Sequence, residues 1–322
     1  MPPHQPLLVT GAAGFIGSHV VDALLARGER VVGLDNFDAF YPRAIKLKNI
    51  QPALSCDRFT LIEADIRDQA ALSESFAVHQ PRAVFHLAAL AGVRPSVEAP
   101  QRFADVNING LVALLDAARA VACRKIIFAS SSSVYGNNRK VPFAEDDAVD
   151  HPISPYAATK RAGELLCYTY AHLFEMQIAC LRFFTVYGPR QRPDLAIARF
   201  MHAIANEQPI HMFGDGSSSR DYTYIDDILR GVLAAHDRIE DPALEGFRIW
   251  NLGGSSPISL KQMIAAVEHV VGHKARVEQL PQQPGDVERT FADVTRARAE
   301  LGLMETVAFA EGLQKQWAAR TT

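Results

Sequence analysis

At 322 residues the chain exceeds one typical domain, so one large domain or a core with a smaller lobe is expected. Its 48% hydrophobic and 21% charged residues, with a formal net charge of −3, describe a soluble globular protein. The near-neutral balance and scattered basic residues give no electrostatic reason to expect nucleic acid or a membrane surface as partner.

No apolar run approaches the roughly 20 residues that span a bilayer, and Met1 to Pro6 is too short and polar for a signal peptide. Cys56, Cys123, Cys167 and Cys180 lie far apart without a CxxC pair, as reduced thiols in a cytoplasmic protein would. His269 and His273 have i,i+4 spacing, but Gly272 between them marks a helix end. No metal is expected.

In chain order, Leu7 to Val9 reads as a strand, Gly14 to Arg27 as a helix and Arg30 to Leu34 as a second strand. Phe59 to Ala64 is a third strand, Gln69 to Val78 a helix and Ala83 to Leu87 a fourth strand. A long helix over Val97 to Ala120 precedes the strand Lys125 to Ala129. A helix over Tyr156 to Phe174 and a strand over Gln177 to Phe183 follow. Short apolar strands alternating with helices imply an α/β fold, a doubly wound parallel sheet of Rossmann type. The texture changes after Phe184, where Pro189, Pro193 and the Gly214-Asp215-Gly216 loop punctuate shorter elements. We expect a Rossmann domain over 1–185 and a smaller C-terminal α/β lobe over 186–322, with segments near 220–252 returning to the main sheet.

Gly11-Ala12-Ala13-Gly14-Phe15-Ile16-Gly17 follows the first strand and opens the first helix. Glycines there allow a sharp turn and close approach to a pyrophosphate, which the helix N-terminus attracts. Asp35 ends the second strand, where a carboxylate can accept both ribose hydroxyls and repel a 2′-phosphate, so NAD is favoured over NADP. Asn36 follows it without an adjacent arginine. Asp65-Ile66 is placed to contact adenine, and Leu87-Ala88-Ala89 has small residues where backbone must approach a dinucleotide. His86 reads as structural.

Tyr156-Ala157-Ala158-Thr159-Lys160 opens a helix and sets phenol and ammonium on one helical face. A phenol near pKa 10 is a poor base, which a neighbouring ammonium and an oxidised nicotinamide would improve. Lys160 can also bond the nicotinamide ribose. Ser131, within Ser130-Ser131-Ser132-Ser133, can bridge a substrate alcohol and the tyrosine. Four consecutive hydroxyls leave open which serine acts.

The ordered set GAAGFIGSH, LDN, HLAA, SSSSVYG, YAATK and RDYTYIDD resembles the extended short-chain dehydrogenase/reductase family of nucleotide-sugar epimerases over nearly the whole chain. The resemblance implies Ser131, Tyr156 and Lys160 as catalytic residues. It implies cofactor contacts from Gly11, Gly14, Phe15, Ile16, Gly17, Asp35, Asn36, Asp65, Ile66, Leu87, Ala88, Ala89, Asn107, Ser130, Tyr156, Lys160 and Phe183. Arg220 would contact the nucleotide diphosphate, and Asp286 is counted among the substrate contacts. A homodimer paired through helices 97–120 and 156–174 is likewise implied.

Oxidation of a sugar at carbon 4 by NAD can lead to epimerisation, dehydration or decarboxylation. Related dehydratases carry Asp-Glu where Ser132 and Ser133 stand here, and related decarboxylases carry a Glu in the same motif. Epimerisation needs neither acid, only rotation of a 4-keto intermediate and return of the hydride from transient NADH. Thr185, with the stretches around Asp35, Ala91 to Arg94 and Arg190 to Asp194, is similar to UDP-glucuronate 4-epimerases. Arg192 is the first choice for a bidentate contact with the uronate carboxylate, with Thr185, Ser132 and Ser133 as hydroxyl donors. Alternatively Arg192 pairs with the phosphates or a surface carboxylate. The expected activity is 4-epimerisation of a UDP-sugar, UDP-glucuronate to UDP-galacturonate. The alternatives are UDP-glucose/galactose epimerisation, decarboxylation, or NAD sensing without turnover.

Overall fold

In the computed structural model, residues 5–241, 244, 246–282, 287–304 and 306–321 are described. The strands are β1 (Leu7–Thr10), β2 (Val31–Asp35), β3 (Phe59–Glu63), β4 (Ala83–His86), β5 (Lys125–Ser131), β6 (Gln177–Phe183), β7 (Thr185–Tyr187), β8 (Pro209–Phe213), β9 (Ser219–Tyr224), β10 (Phe247–Leu252), β11 (Pro257–Ser259) and β12 (Arg276–Leu280). A seven-stranded sheet runs β10-β6-β5-β4-β1-β2-β3, and every pairing in it is parallel.

The period-2 alternation of strand side chains divides the core into two layers. Leu7, Val9, Ile127, Ala129, Ala179 and Leu181 pack against helices Phe15–Ala26 and Ile225–Glu240. Leu8, Ile126, Phe128, Ile178 and Cys180 pack on the other face against helices Gln69–His79, Gly110–Ala120 and Pro155–Phe174. Strand order reverses between β1 and β4, and at such a switch point a crevice opens beyond the carboxyl ends of the strands.

Beyond β6 the strands form a three-stranded sheet β11-β9-β7 and a parallel pair β12-β8. A separate apolar cluster from helices Ala196–Ala205, Leu260–Val271 and Phe309–Ala318 packs with them. β10 lies instead at the edge of the main sheet, in register with β6 from Phe247↔Ile178 to Leu252↔Phe183.

Two expectations need correction. The long helix over 97–120 begins earlier, at Val93, and is broken. Val93–Glu98 stops at Ala99 (φ −135, ψ 57), Pro100–Ala104 restarts it, and a π-helical turn over Asp105–Asn109 precedes Gly110–Ala120. Pro100 has no N–H to continue the ladder but suits the first position of the new helix. The helix Arg43–Leu54 was not anticipated. It carries Pro52 and only a weak apolar stripe, so periodicity does not reveal it.

Candidate active site

The crevice is built from the strand ends upward. Gly11, just after β1, takes φ +68, and a Cβ there would lie 2.8 Å from the Ala88 nitrogen. A Cβ on Gly17 would lie 2.0 Å from the Gly11 carbonyl oxygen. These contacts, not flexibility, require glycine. Gly14 caps the first helix in extended conformation without a side-chain cap, leaving first-turn N–H groups facing an anion's place.

Asp35 is buried at the end of β2, accepting from the Ala13 N–H (3.0 Å) and the Phe37 N–H (2.8 Å). With Gly11, Asn36, Ile66, Ala88 and Ala89 it lines a narrow cleft beside the glycine loop, of a shape and donor set that fit an adenosine half. Asp65 follows β3, and its carboxylate takes hydrogen bonds from Arg67 (2.9 Å) and Asn36 (2.8 Å), which hold its pKa at about 2 and brace the loop beside this cleft. Asn107 is buried, and its amide accepts from Leu90 N–H (2.9 Å) and donates to Leu90 O and Thr159 Oγ1 (both 3.0 Å). The π turn therefore spends Asn107 on tying the Ala88–Leu90 strand end to the tyrosine helix. His86, buried and 2.8 Å from Thr10 Oγ1, is held near pKa 3 by burial and by Lys160, as befits a structural imidazole.

The larger cavity, about 450 Å³, continues from Gly11, Gly14, Phe15, Ile16 and Gly17 past Leu87 and Ala89. It gathers Ser130, Ser131, Ser132, Ser133, Tyr156, Lys160, Phe183, Thr185, Arg192 and Arg220 into one wall set. Asp286 lies outside the described residues. β5 ends at Ser131 and a 3₁₀ turn over Ser132–Tyr135 follows, so each serine faces differently. Ser130 Oγ donates to buried Glu164 (2.6 Å), whereas Ser131 Oγ accepts from Ser133 N–H (3.2 Å) and Ser133 Oγ–H (2.9 Å). Ser154 caps the tyrosine helix by accepting from Ala157 N–H at 3.1 Å, which sets Tyr156 in its first turn.

Electrostatics in the cavity differ from the simple lysine–tyrosine picture. Burial raises the Tyr156 pKa, opposed by a hydrogen bond with Ser131 and by the charge of Arg192. Lys160 donates to Ala129 O (2.7 Å), and burial brings its ammonium down to about 8. The charge of Arg192 thus favours the phenolate as well. Arg192 Nε and Nη2 grip Asp194 (3.0 and 2.7 Å), Nη2 reaches Ala91 O (3.2 Å), and the guanidinium lies 4.9 Å over the Phe40 ring. Arg192 thus pairs with a partly exposed carboxylate while its side chain also lines the cavity. Arg220 donates to Ser219 O (2.9 Å).

Residues 8–316 match the family model described as GDP-mannose 4,6 dehydratase. The UDP-glucuronate 4-epimerase of Thermodesulfobacterium geofontis is 43% identical over 309 residues, covering 96% of this chain and 94% of that protein. The chain belongs to the NAD-dependent short-chain dehydrogenase/epimerase family. Among solved structures in this family, the UDP-glucuronic acid 4-epimerase of Bacillus cereus, in complex with UDP-glucuronic acid and NAD, superposes with TM-score 0.92. It is 38% identical, over 98% of this chain and 99% of that one. The Thermotoga maritima UDP-glucose 4-epimerase with UDP-glucose gives 0.89 at 33% identity over 98% of each chain.

Family motifs did not point to Tyr41, Lys46 or Asn49. Tyr41 and Lys46 line the large cavity, and Tyr41 Oη is buried without a hydrogen-bond partner. Asn49 donates to Ala13 O at 3.1 Å and so holds the glycine loop. Their signal lay in Pro42, which starts the unanticipated helix.

Proposed function

We propose that the protein converts UDP-glucuronate to UDP-galacturonate by NAD-dependent epimerisation at carbon 4. One observation carries this reading: the described lining of the large cavity holds Lys46, Lys160, Arg192 and Arg220 but no carboxylate and no histidine. Such a wall suits a diphosphate and a sugar carboxylate. It also lacks the acid–base pair that elimination would need.

The residues fit NAD at both ends, with Asp35 for the adenosine ribose and uncapped N–H groups of the first helix for the pyrophosphate. When bound, NAD supplies the reversible two-electron acceptor. Gly11, Gly14, Phe15, Ile16, Gly17, Asp35, Asn36, Asp65, Ile66, Leu87, Ala88, Ala89, Asn107, Ser130, Tyr156, Lys160 and Phe183 are read as its contacts, Asp65 and Asn107 also bracing the loops on which they sit. Tyr156 takes the proton from the 4-hydroxyl, assisted by Ser131. Ser130 is turned to Glu164, so Ser131 is the serine we assign. Lys160 fixes the nicotinamide ribose. Thr185, Ser132 and Ser133 offer hydroxyls to the sugar, Arg220 faces the diphosphate, and Arg192 holds the uronate carboxylate.

The division into a cofactor domain (1–185) and a substrate lobe (186–322) is kept as a reading of how these duties separate. Leu165, Tyr168 and Leu173 expose more than half of their surface on the tyrosine helix, which supports pairing of two copies along that face. All four cysteines are free, in keeping with a reducing cytoplasm. Separate incubation with UDP-glucuronate and UDP-glucose, with products resolved by chromatography, tests the assignment. A uronate isomer is expected; a pentose product would indicate decarboxylation, and exclusive turnover of UDP-glucose the neutral-sugar alternative.

A further inference from the structure

Arg192 follows a turn closed by the Gln191 N–H to Gly188 O bond (3.1 Å) and braced from outside as well. The chain leaves β7 through Gly188 (φ +142) and Arg190 (φ +62), and the latter is a left-handed conformation that non-glycine residues rarely adopt. Such a conformation persists only where surrounding structure over-determines it. Here the grip comes from two helices. On the cofactor helix, His19 Nε2 hydrogen-bonds Pro189 O at 3.0 Å, and Asp22 pairs with Arg190 at 2.7 Å. On the C-terminal helix, buried Gln316 accepts from Gly188 N–H (2.9 Å) and donates to Gln191 Oε1 (2.8 Å). Gln191, the residue immediately before Arg192, in turn donates to Val186 O at 3.1 Å, so the relay passes through the turn at that point.

The C-terminal helix is placed for this. A Cβ on Gly312, one turn before Gln316, would lie 2.3 Å from Tyr187 Oη, so the glycine lets the helix seat directly on β7. Both termini of the Gln316 amide are satisfied, one by backbone and one by side chain, and no other residue type offers that donor–acceptor pair at that length.

We propose that Gln316, through Gln191, is a positioning residue for Arg192, so that the C-terminal helix sets selectivity for a carboxylate-bearing sugar. The inference rests on the reading of Arg192 as the carboxylate contact. KM for UDP-glucuronate and for UDP-glucose, with NAD affinity as control, is compared across Gln316→Leu, Gln191→Leu, Arg192→Ala and the double variants with Arg192→Ala. KM for the uronate should rise about 2- to 30-fold in each glutamine variant, the range transmitted through contacting networks. NAD affinity and KM for UDP-glucose should move little.

Combined with Arg192→Ala, either glutamine change should add almost nothing, because its effect runs through that side chain. Equal rises for both sugars, additive effects in the double variants, or no rise at all would overturn the proposal. Gln191 is half-buried, so Gln191→Leu keeps the test alive if Gln316→Leu does not fold. If Arg192→Ala itself fails to separate the two sugars, the reading of Arg192 as the carboxylate contact falls, and the selectivity proposal with it, while the epimerase assignment stands.

Discussion

Arg182 and Arg192 stand ten residues apart in sequence and make the same kind of bond, yet they belong to opposite regimes. Arg182 Nε and Nη2 grip Glu164 at 2.8 and 2.9 Å, with both side chains essentially inaccessible. Arg182 Nη1 also donates to Tyr135 Oη (2.9 Å), which donates to Asn251 Oδ1 (2.8 Å), while Ser130 Oγ donates to Glu164. That network ties β5, β6, β10 and the tyrosine helix together behind the serines. Arg192 grips Asp194 at the cavity mouth, where the two side chains are 15% and 42% exposed. A buried pair is costly to break because the surviving charge has nowhere to go, whereas a half-exposed pair can exchange partners. The first is suited to hold a scaffold, the second to meet a ligand.

The largest effect expected from this contrast is on stability. Arg182→Leu leaves the buried Glu164 carboxylate with only Arg161 (3.2 Å) and Ser130 (2.6 Å) and should cost up to about 3–5 kcal/mol in chemical denaturation. Adding Glu164→Leu should recover most of it, and a single-variant loss below about 1 kcal/mol would erase the distinction.

Lys160 sharpens it from a third position: a buried cation whose bonded partner is a carbonyl rather than a carboxylate. Burial lowers its pKa to about 8 in the fold, against about 10.4 in an unfolded chain. Between those values the unfolded state binds more protons, so this group's contribution to stability rises with pH across that window. The difference in melting temperature between wild type and Lys160→Met should shift in favour of wild type from pH 8 to 10. A flat difference would mean that Lys160 is not desolvated.

Arg192→Ala should leave folding nearly untouched and raise KM for UDP-glucuronate about 10- to 100-fold, as loss of a charged hydrogen bond would. Equal losses with UDP-glucose would mean that it serves the nucleotide instead. Asp194→Asn should do least, changing stability by about 0–1 kcal/mol. By releasing the guanidinium it should leave uronate KM unchanged or slightly lower, and a marked rise would make Asp194 part of the binding geometry.

Asp221 shows how a motif can be noticed and its reason missed. Sequence reading of the Arg220-Asp221-Tyr222 run attended to the arginine. In the fold, buried Asp221 accepts from the Gly254 (2.8 Å), Ser255 (3.0 Å) and Ala292 (2.9 Å) N–H groups, joining two separate segments to β9. Burial raises its pKa to about 6 in spite of those bonds.

Local rules made the parallel strands, the glycine turn, Asp35 at a strand end and the Tyr156–Lys160 helix legible, because each depends on residues within a few positions of one another. The break at Ala99 has a local cause in Pro100; two things were decided only in three dimensions, the placing of Tyr41 and Lys46 in the cavity wall and which carboxylate each arginine meets. Glu164 reaches Arg182 across a helix–sheet contact, and Gln316 reaches the Arg192 turn from the far end of the chain. No periodicity carries such pairings. They arise when packing removes water from particular polar groups and leaves each to find the one partner within reach.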